Sequence, residues 1–107
     1  MFTKITAGEL KKKMDSKDDF KLIDVLLPEK YNEWHIPGAI NIPTDELSDI
    51  APAELGIDEE IILYCLGFEC KASTRAAGIL DGMGYKKVVD FKGGREEWES
   101  EGYPIQK

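Results

Sequence analysis

Cysteine is the residue type in this chain whose placement best suits nucleophilic or sulfur chemistry. Cys65 follows the apolar run Ile61-Ile62-Leu63-Tyr64, and Cys70 lies inside the segment Leu66-Gly67-Phe68-Glu69-Cys70-Lys71-Ala72 before Ser73. A cysteine that ends a strand just ahead of a helix meets unpaired backbone N–H groups and the partial positive charge of the helix amino end. Such surroundings lower a thiol that ordinarily titrates at about 8.5, and the thiolate so formed is a nucleophile and a carrier of transferable sulfur. Cys65 is therefore expected to be largely ionised at neutral pH. The plain alternative is a small apolar residue closing a buried strand.

The other reactive types receive structural assignments. His35, the lone histidine, falls in the turn Trp34-His35-Ile36-Pro37, where an imidazole can satisfy buried backbone or Asp24 rather than serve as a base for the thiol. Asp24 interrupts an apolar run and needs a partner. Arg75 reads as a helix-surface residue in the first turn, and Trp34 and Trp98 read as core or rim aromatics. Two cysteines and one histidine fall short of a four-ligand zinc site, so neither a metal nor a cofactor is expected.

Elements that could position Cys65 follow from periodicity and punctuation. Thr6 as cap, Glu9 closing a capping box and Ile5 packing on Leu10 start a first helix that ends near Met14 to Ser16. Phe20 to Leu26 reads as a buried strand, Pro28 to Trp34 as a short helix, and Ala39 to Ile42 as a brief strand. Thr44, Asp45 and Glu46 place a cap and two acids before Leu47, with Asp49 to Gly56 a loop holding at most one helical turn. Glu60 to Tyr64 is the strongest strand. From Ser73, the positions Ala76, Ile79, Leu80 and Met83 keep helical spacing until Gly84 supplies a left-handed stop. Lys87 to Phe91 is a further strand, and Gly93-Gly94 leads into a last helix around Trp98 that Gly102 and Pro104 end. Alternating strands and helices imply an α/β fold with a mainly parallel sheet covered on both faces.

With 107 residues there is room for one domain, taken as residues 1–107. The 42% hydrophobic and 33% charged residues are proportions of a globular protein, and no apolar run is long enough to span a bilayer. Lys4 and the Lys11 to Lys13 run interrupt the first residues where a signal peptide would be apolar, so a cytoplasmic location is expected. The net charge of -7 argues against a nucleic-acid partner, and the Lys11 to Lys13 run reads as a solvated helix face.

Three groups of residues together resemble the rhodanese-like domain family along nearly the whole chain. They are Asp24-Val25 followed by Trp34-His35-Ile36-Pro37-Gly38-Ala39-Ile40-Asn41-Ile42-Pro43; Tyr64-Cys65 followed by Ser73-Thr74-Arg75-Ala76-Ala77; and Gly93-Gly94 with Trp98, Gly102 and Pro104. The resemblance implies a three-layer fold and a sulfurtransferase. Such an enzyme takes sulfane sulfur from a donor such as thiosulfate, polysulfide or a persulfide and holds it as a cysteine persulfide. It then passes the sulfur to a thiol or protein acceptor. Cys65 corresponds to the active cysteine, and Leu66, Gly67, Phe68, Glu69, Lys71, Ala72 and Ser73 to the loop that cradles the outer sulfur.

Departures from the family pattern qualify what the resemblance implies. The loop is longer than usual, and Ala72 stands where typical members place Arg before the Ser of the helix. Lys71 is the nearest substitute but lacks the planar fork of a guanidinium, and Glu69 adds negative charge, so weak activity with thiosulfate is expected. Leu26 replaces a frequent Arg after the Asp-Val pair, and Trp34 a frequent Gly. Cys70 resembles a second loop cysteine of a subgroup, where it would resolve or share a persulfide on Cys65; an inert loop residue is the other reading. Two further readings are a redox-sensing or interaction module using Cys65 and Cys70, and a cysteine phosphatase or arsenate reductase, which would need the absent Arg.

Overall fold

The computed structural model describes residues 2–107. Five strands form one sheet: β1 (Thr3–Lys4), β2 (Lys21–Asp24), β3 (Ile40–Asn41), β4 (Glu60–Tyr64) and β5 (Lys87–Phe91). Their order is β1-β5-β4-β2-β3, and every pairing among them is parallel. Five α-helices accompany them: α1 (Ala7–Asp15), α2 (Pro28–Glu33), α3 (Leu47–Glu54), α4 (Ala72–Gly82) and α5 (Gly94–Ser100). A 3-10 turn over Thr44–Glu46 precedes α3. The α/β fold with a parallel sheet read from the sequence is the fold found.

The central strand β4 sorts its side chains by the two-residue period of a strand. Ile61, Leu63 and Cys65 enter the cluster that also holds Leu47, Ala51, Leu55, Ala76, Ala77 and Leu80 from α3, α4 and their flanks. Ile62 and Tyr64 enter the opposite cluster with Ala7, Leu10, Ile36, Phe91 and Trp98. Both faces are thus apolar and covered, as a fully parallel sheet requires. Trp98 is fully buried, meets the rings of Phe91 and Tyr103 edge-on at centroid distances of 6.3 and 4.9 Å, and donates its indole N–H to the Pro104 carbonyl at 2.8 Å.

Local signals fix the ends of the elements. The Thr6 hydroxyl accepts the Glu9 N–H at 3.2 Å while the Glu9 carboxylate accepts the Thr6 N–H at 2.9 Å, the reciprocal capping box read from the sequence. Gly84 adopts φ +95° just past α4, where a left-handed residue ends a helix without steric conflict. Lys12 is exposed, while Lys11 and Lys13 are half-buried and form ion pairs with Asp15 and Glu60, each at 2.7 Å.

Two local expectations need correction. Asp49 to Gly56 is not a loop, because α3 runs Leu47–Glu54 through Pro52. Leu47, Ala51 and Leu55, four residues apart, all bury in the core, and that burial outweighs the lost hydrogen bond of an interior proline. The edge strand β1 had no sequence signal. It is two residues long and exists through pairing with β5, Thr3 opposite Val89 and Lys4 opposite Asp90.

Candidate active site

The site forms where β4 gives way to the loop that enters α4. Cys65 continues the alternation of Ile61 and Leu63, so its side chain points toward the α4 face, and it has 0% of its surface exposed. Its sulfur donates to the Cys70 carbonyl at 3.5 Å. Cys70 is half-buried, and both cysteines are free thiols. The loop turns tightly between them, with the Cys70 N–H donating to the Gly67 carbonyl at 3.0 Å.

Helix α5 holds the first half of the loop in place. The Arg95 N–H donates to the Cys65 carbonyl at 3.0 Å and the Glu96 N–H to the Leu66 carbonyl at 2.9 Å. Gly94 makes this approach possible. It has φ +55°, and a methyl group on it would overlap the Cys65 carbonyl. The Arg95 side chain ties the start of α5 to α2: its guanidinium lies 4.3 Å from the Trp34 ring centroid and donates to the Lys30 carbonyl at 3.0 Å.

Electrostatics divide the two thiols, and here the expectation for Cys65 is corrected. Burial pushes the Cys65 thiol up, and the neighbouring Cys70 sulfur reinforces this, while the amide and hydroxyl of Ser73 pull the other way. The helix amino end therefore does not leave Cys65 largely ionised, because desolvation of a closed position is the stronger effect. Cys70 behaves differently. Burial raises it too, but the Cys65 thiol, the N–H groups of Leu66 and Ala72 and the Lys92 ammonium more than offset that, and its thiol is lowered. Ser73 is fully buried, and its hydroxyl has no conventional hydrogen-bond partner.

Lys92 is the cation that sequence reasoning missed. Its ammonium donates to the Cys70 carbonyl. Register explains its position: Tyr64 pairs with Phe91, so the residues that follow them, Cys65 and Lys92, leave the sheet side by side. Lys71, the substitute read from the sequence, is exposed and lines an open cleft of about 770 Å³ with Phe68, Glu69, Thr74, Arg75 and Lys92. Phe68 is 62% exposed, Leu66 and Glu69 are exposed, Gly67 is buried, and Ala72 is the first residue of α4 rather than the last of the loop.

The remaining candidates have other partners. The His35 Nδ1 sits 3.0 Å from the Tyr31 carbonyl, and its ring stacks on that of Tyr31 at 3.8 Å. Asp24 is fully buried, accepts the Leu26 N–H at 2.9 Å, and is raised by desolvation against the pull of that amide and of the Tyr64 hydroxyl. Arg75 is on the helix surface, 3.8 Å from the Asp45 carboxylate.

An α/β sheet with a cysteine-bearing loop between its central strand and the next helix defines a class of domain, and the comparisons agree on which. The chain matches the rhodanese-like domain over residues 6–101, and it belongs to that family. It is 39% identical over 101 residues to the HTH-type transcriptional regulator Rv0324 of Mycobacterium tuberculosis; that stretch is 94% of this chain and 43% of the regulator. The chain thus spans less than half of that relative's length. It is also 28% identical over 105 residues to a sulfurtransferase of Allochromatium vinosum, covering 98% of this chain and 95% of that one. Among solved structures, the rhodanese-like domain of the Anabaena protein Alr3790 superposes with a TM-score of 0.89 at 30% identity, covering 99% of this chain and 80% of that one. No helix among the described residues is long and apolar enough to cross a membrane.

Proposed function

We propose that the chain is a sulfurtransferase domain that carries sulfane sulfur as a persulfide on Cys65. The donor would be thiosulfate, a polysulfide or a low-molecular-weight persulfide, and the acceptor a thiol, free or on a protein. The observation that carries this reading is the buried hydroxyl of Ser73. It lacks a partner in the resting site, and together with the Ser73 amide it favours negative charge on the Cys65 sulfur. A buried unpaired donor is costly, and an anionic outer sulfur on Cys65 would satisfy it. Two free thiols within one loop suit a reducing compartment such as the cytoplasm.

Treatment with a sulfur donor tests this reading. Intact-mass spectrometry is expected to show one added sulfur atom that a reductant removes. No gain with thiosulfate, polysulfide or a persulfide rejects it.

A second reading has one observation in its favour. Both thiols are free, and the Cys65 thiol donates to the Cys70 carbonyl at 3.5 Å within one tight loop, so oxidation could join them, and the domain would then serve as a redox sensor. A disulfide that forms readily with peroxide in a chain that takes up no sulfur would favour it.

A further inference from the structure

Resting on the sulfur-carrying reading, we infer that Cys70 is the thiol that first takes sulfur from the donor and that it passes the sulfur inward to Cys65. The geometry separates the tasks of the two residues. Cys65 has no exposed surface and belongs to the buried cluster that holds Ile23, Val25 and Ala76, so a donor cannot reach it while the loop keeps this conformation. Cys70 is half-buried, and its neighbours Glu69 and Lys71 line the cleft that Phe68 and Lys92 also border. The amides of Leu66 and Ala72 and the Lys92 ammonium all favour negative charge on its sulfur. Access and thiolate character together set the rate of attack on a sulfur–sulfur bond, and both favour Cys70.

With a persulfide donor RS–SH, the Cys70 thiolate attacks the outer sulfur. A bond forms between Cys70 and that sulfur, the donor's S–S bond breaks, and RS⁻ leaves, giving Cys70–S–SH, which ionises to Cys70–S–S⁻. The Cys65 thiol, whose sulfur lies 3.5 Å from the Cys70 carbonyl, passes its proton to this persulfide anion, and the Cys65 thiolate attacks the outer sulfur of the Cys70–S–SH so formed. The Cys70 S–S bond breaks as the new bond forms, and the proton on the transferred sulfur passes to the departing Cys70 thiolate, so the products are Cys65–S–S⁻ and Cys70–SH. No external oxidant or reductant enters either step. The amide and hydroxyl of Ser73 favour the charge delivered to Cys65, which gives the inward transfer its direction.

Time-resolved loading tests the order. The protein is mixed with glutathione persulfide, quenched with iodoacetamide at intervals and cleaved after glutamate, which separates the two cysteines at Glu69. In the unaltered chain the added sulfur is expected on Cys70 first and on Cys65 later. In Cys65→Ala, a small apolar replacement suited to the core, sulfur should load Cys70 at the normal rate and stay there. In Cys70→Ser, loading of Cys65 should slow by about tenfold or more, with an unchanged circular dichroism spectrum. Normal loading of Cys65 in Cys70→Ser, or no loading of Cys70 in a folded Cys65→Ala chain, overturns the relay while leaving the sulfur-carrying reading intact. No sulfur on either cysteine of the unaltered chain overturns both.

Discussion

The ammonium of Lys92, at the end of β5, donates to the carbonyl of Cys70 in the loop after β4. This contact closes the loop from the neighbouring strand and sets a positive charge beside the more accessible of the two thiols. It supplies the cation that the loop itself lacks at Ala72.

Replacing that cation should weaken Cys70 as a nucleophile. Lys92→Met removes the positive charge, so the Cys70 thiol moves up, and less thiolate is present at neutral pH. Alkylation of Cys70 by iodoacetamide, followed on the peptide that begins at Cys70, should slow by roughly threefold or more, with Cys65 unaffected. An unchanged Cys70 rate would show that the ammonium serves the backbone alone.

The two thiols should separate on a pH scale. Cys70 is lowered and Cys65 raised, so as pH increases Cys70 ionises first, below the ordinary thiol range, and Cys65 only above it. Alkylation rates read residue by residue from below neutrality to strongly alkaline pH should give two curves in that order. Their reversal would contradict the assignment of burial as the controlling effect at Cys65.

Gly94→Ala probes how α5 supports the loop. A methyl there overlaps the Cys65 carbonyl and meets a left-handed backbone, so the Arg95 and Glu96 amides must withdraw from the loop. Denaturant unfolding should show a loss of about 1–3 kcal/mol, and sulfur loading should fall by more than stability alone explains. Normal loading would mean that the loop holds its shape without α5.

Trp98→Ala tests the second face of the sheet, remote from the sulfurs. Trp98 is fully buried between Phe91 and Tyr103, and its removal leaves a large cavity. A loss of about 3–5 kcal/mol is expected from thermal or denaturant melts. A loss under about 1 kcal/mol would show that the face rearranges to fill the space.

What the sequence disclosed depended on how local the cause was. The Thr6 to Glu9 capping box, the apolar run of β4 and the Gly84 stop are set by neighbours in the chain, and each was legible. Pro52 concealed α3, because the burial that sustains that helix comes from packing against the rest of the core. Strand β1 was invisible for the same reason, since a two-residue strand has no period of its own. In the site, the loop and its two cysteines were legible, as was the absence of a loop Arg. The contribution of Lys92 was not, although the pairing of β4 with β5 places it beside Cys65 once strand order is known. The Cys65 thiol was read as lowered, whereas burial raises it. The helix amino end is visible in sequence, whereas the closure of the core over Cys65 is a tertiary fact.

Peptide mapping at the end point of donor treatment bears most directly on the role of Cys65. After saturation with polysulfide and alkylation, the resting carrier should hold one extra sulfur on Cys65 within the peptide Ile61–Glu69, and the Cys65→Ala chain should hold none there. A saturated chain whose Cys65 peptide gains no sulfur would contradict its assignment as the carrier.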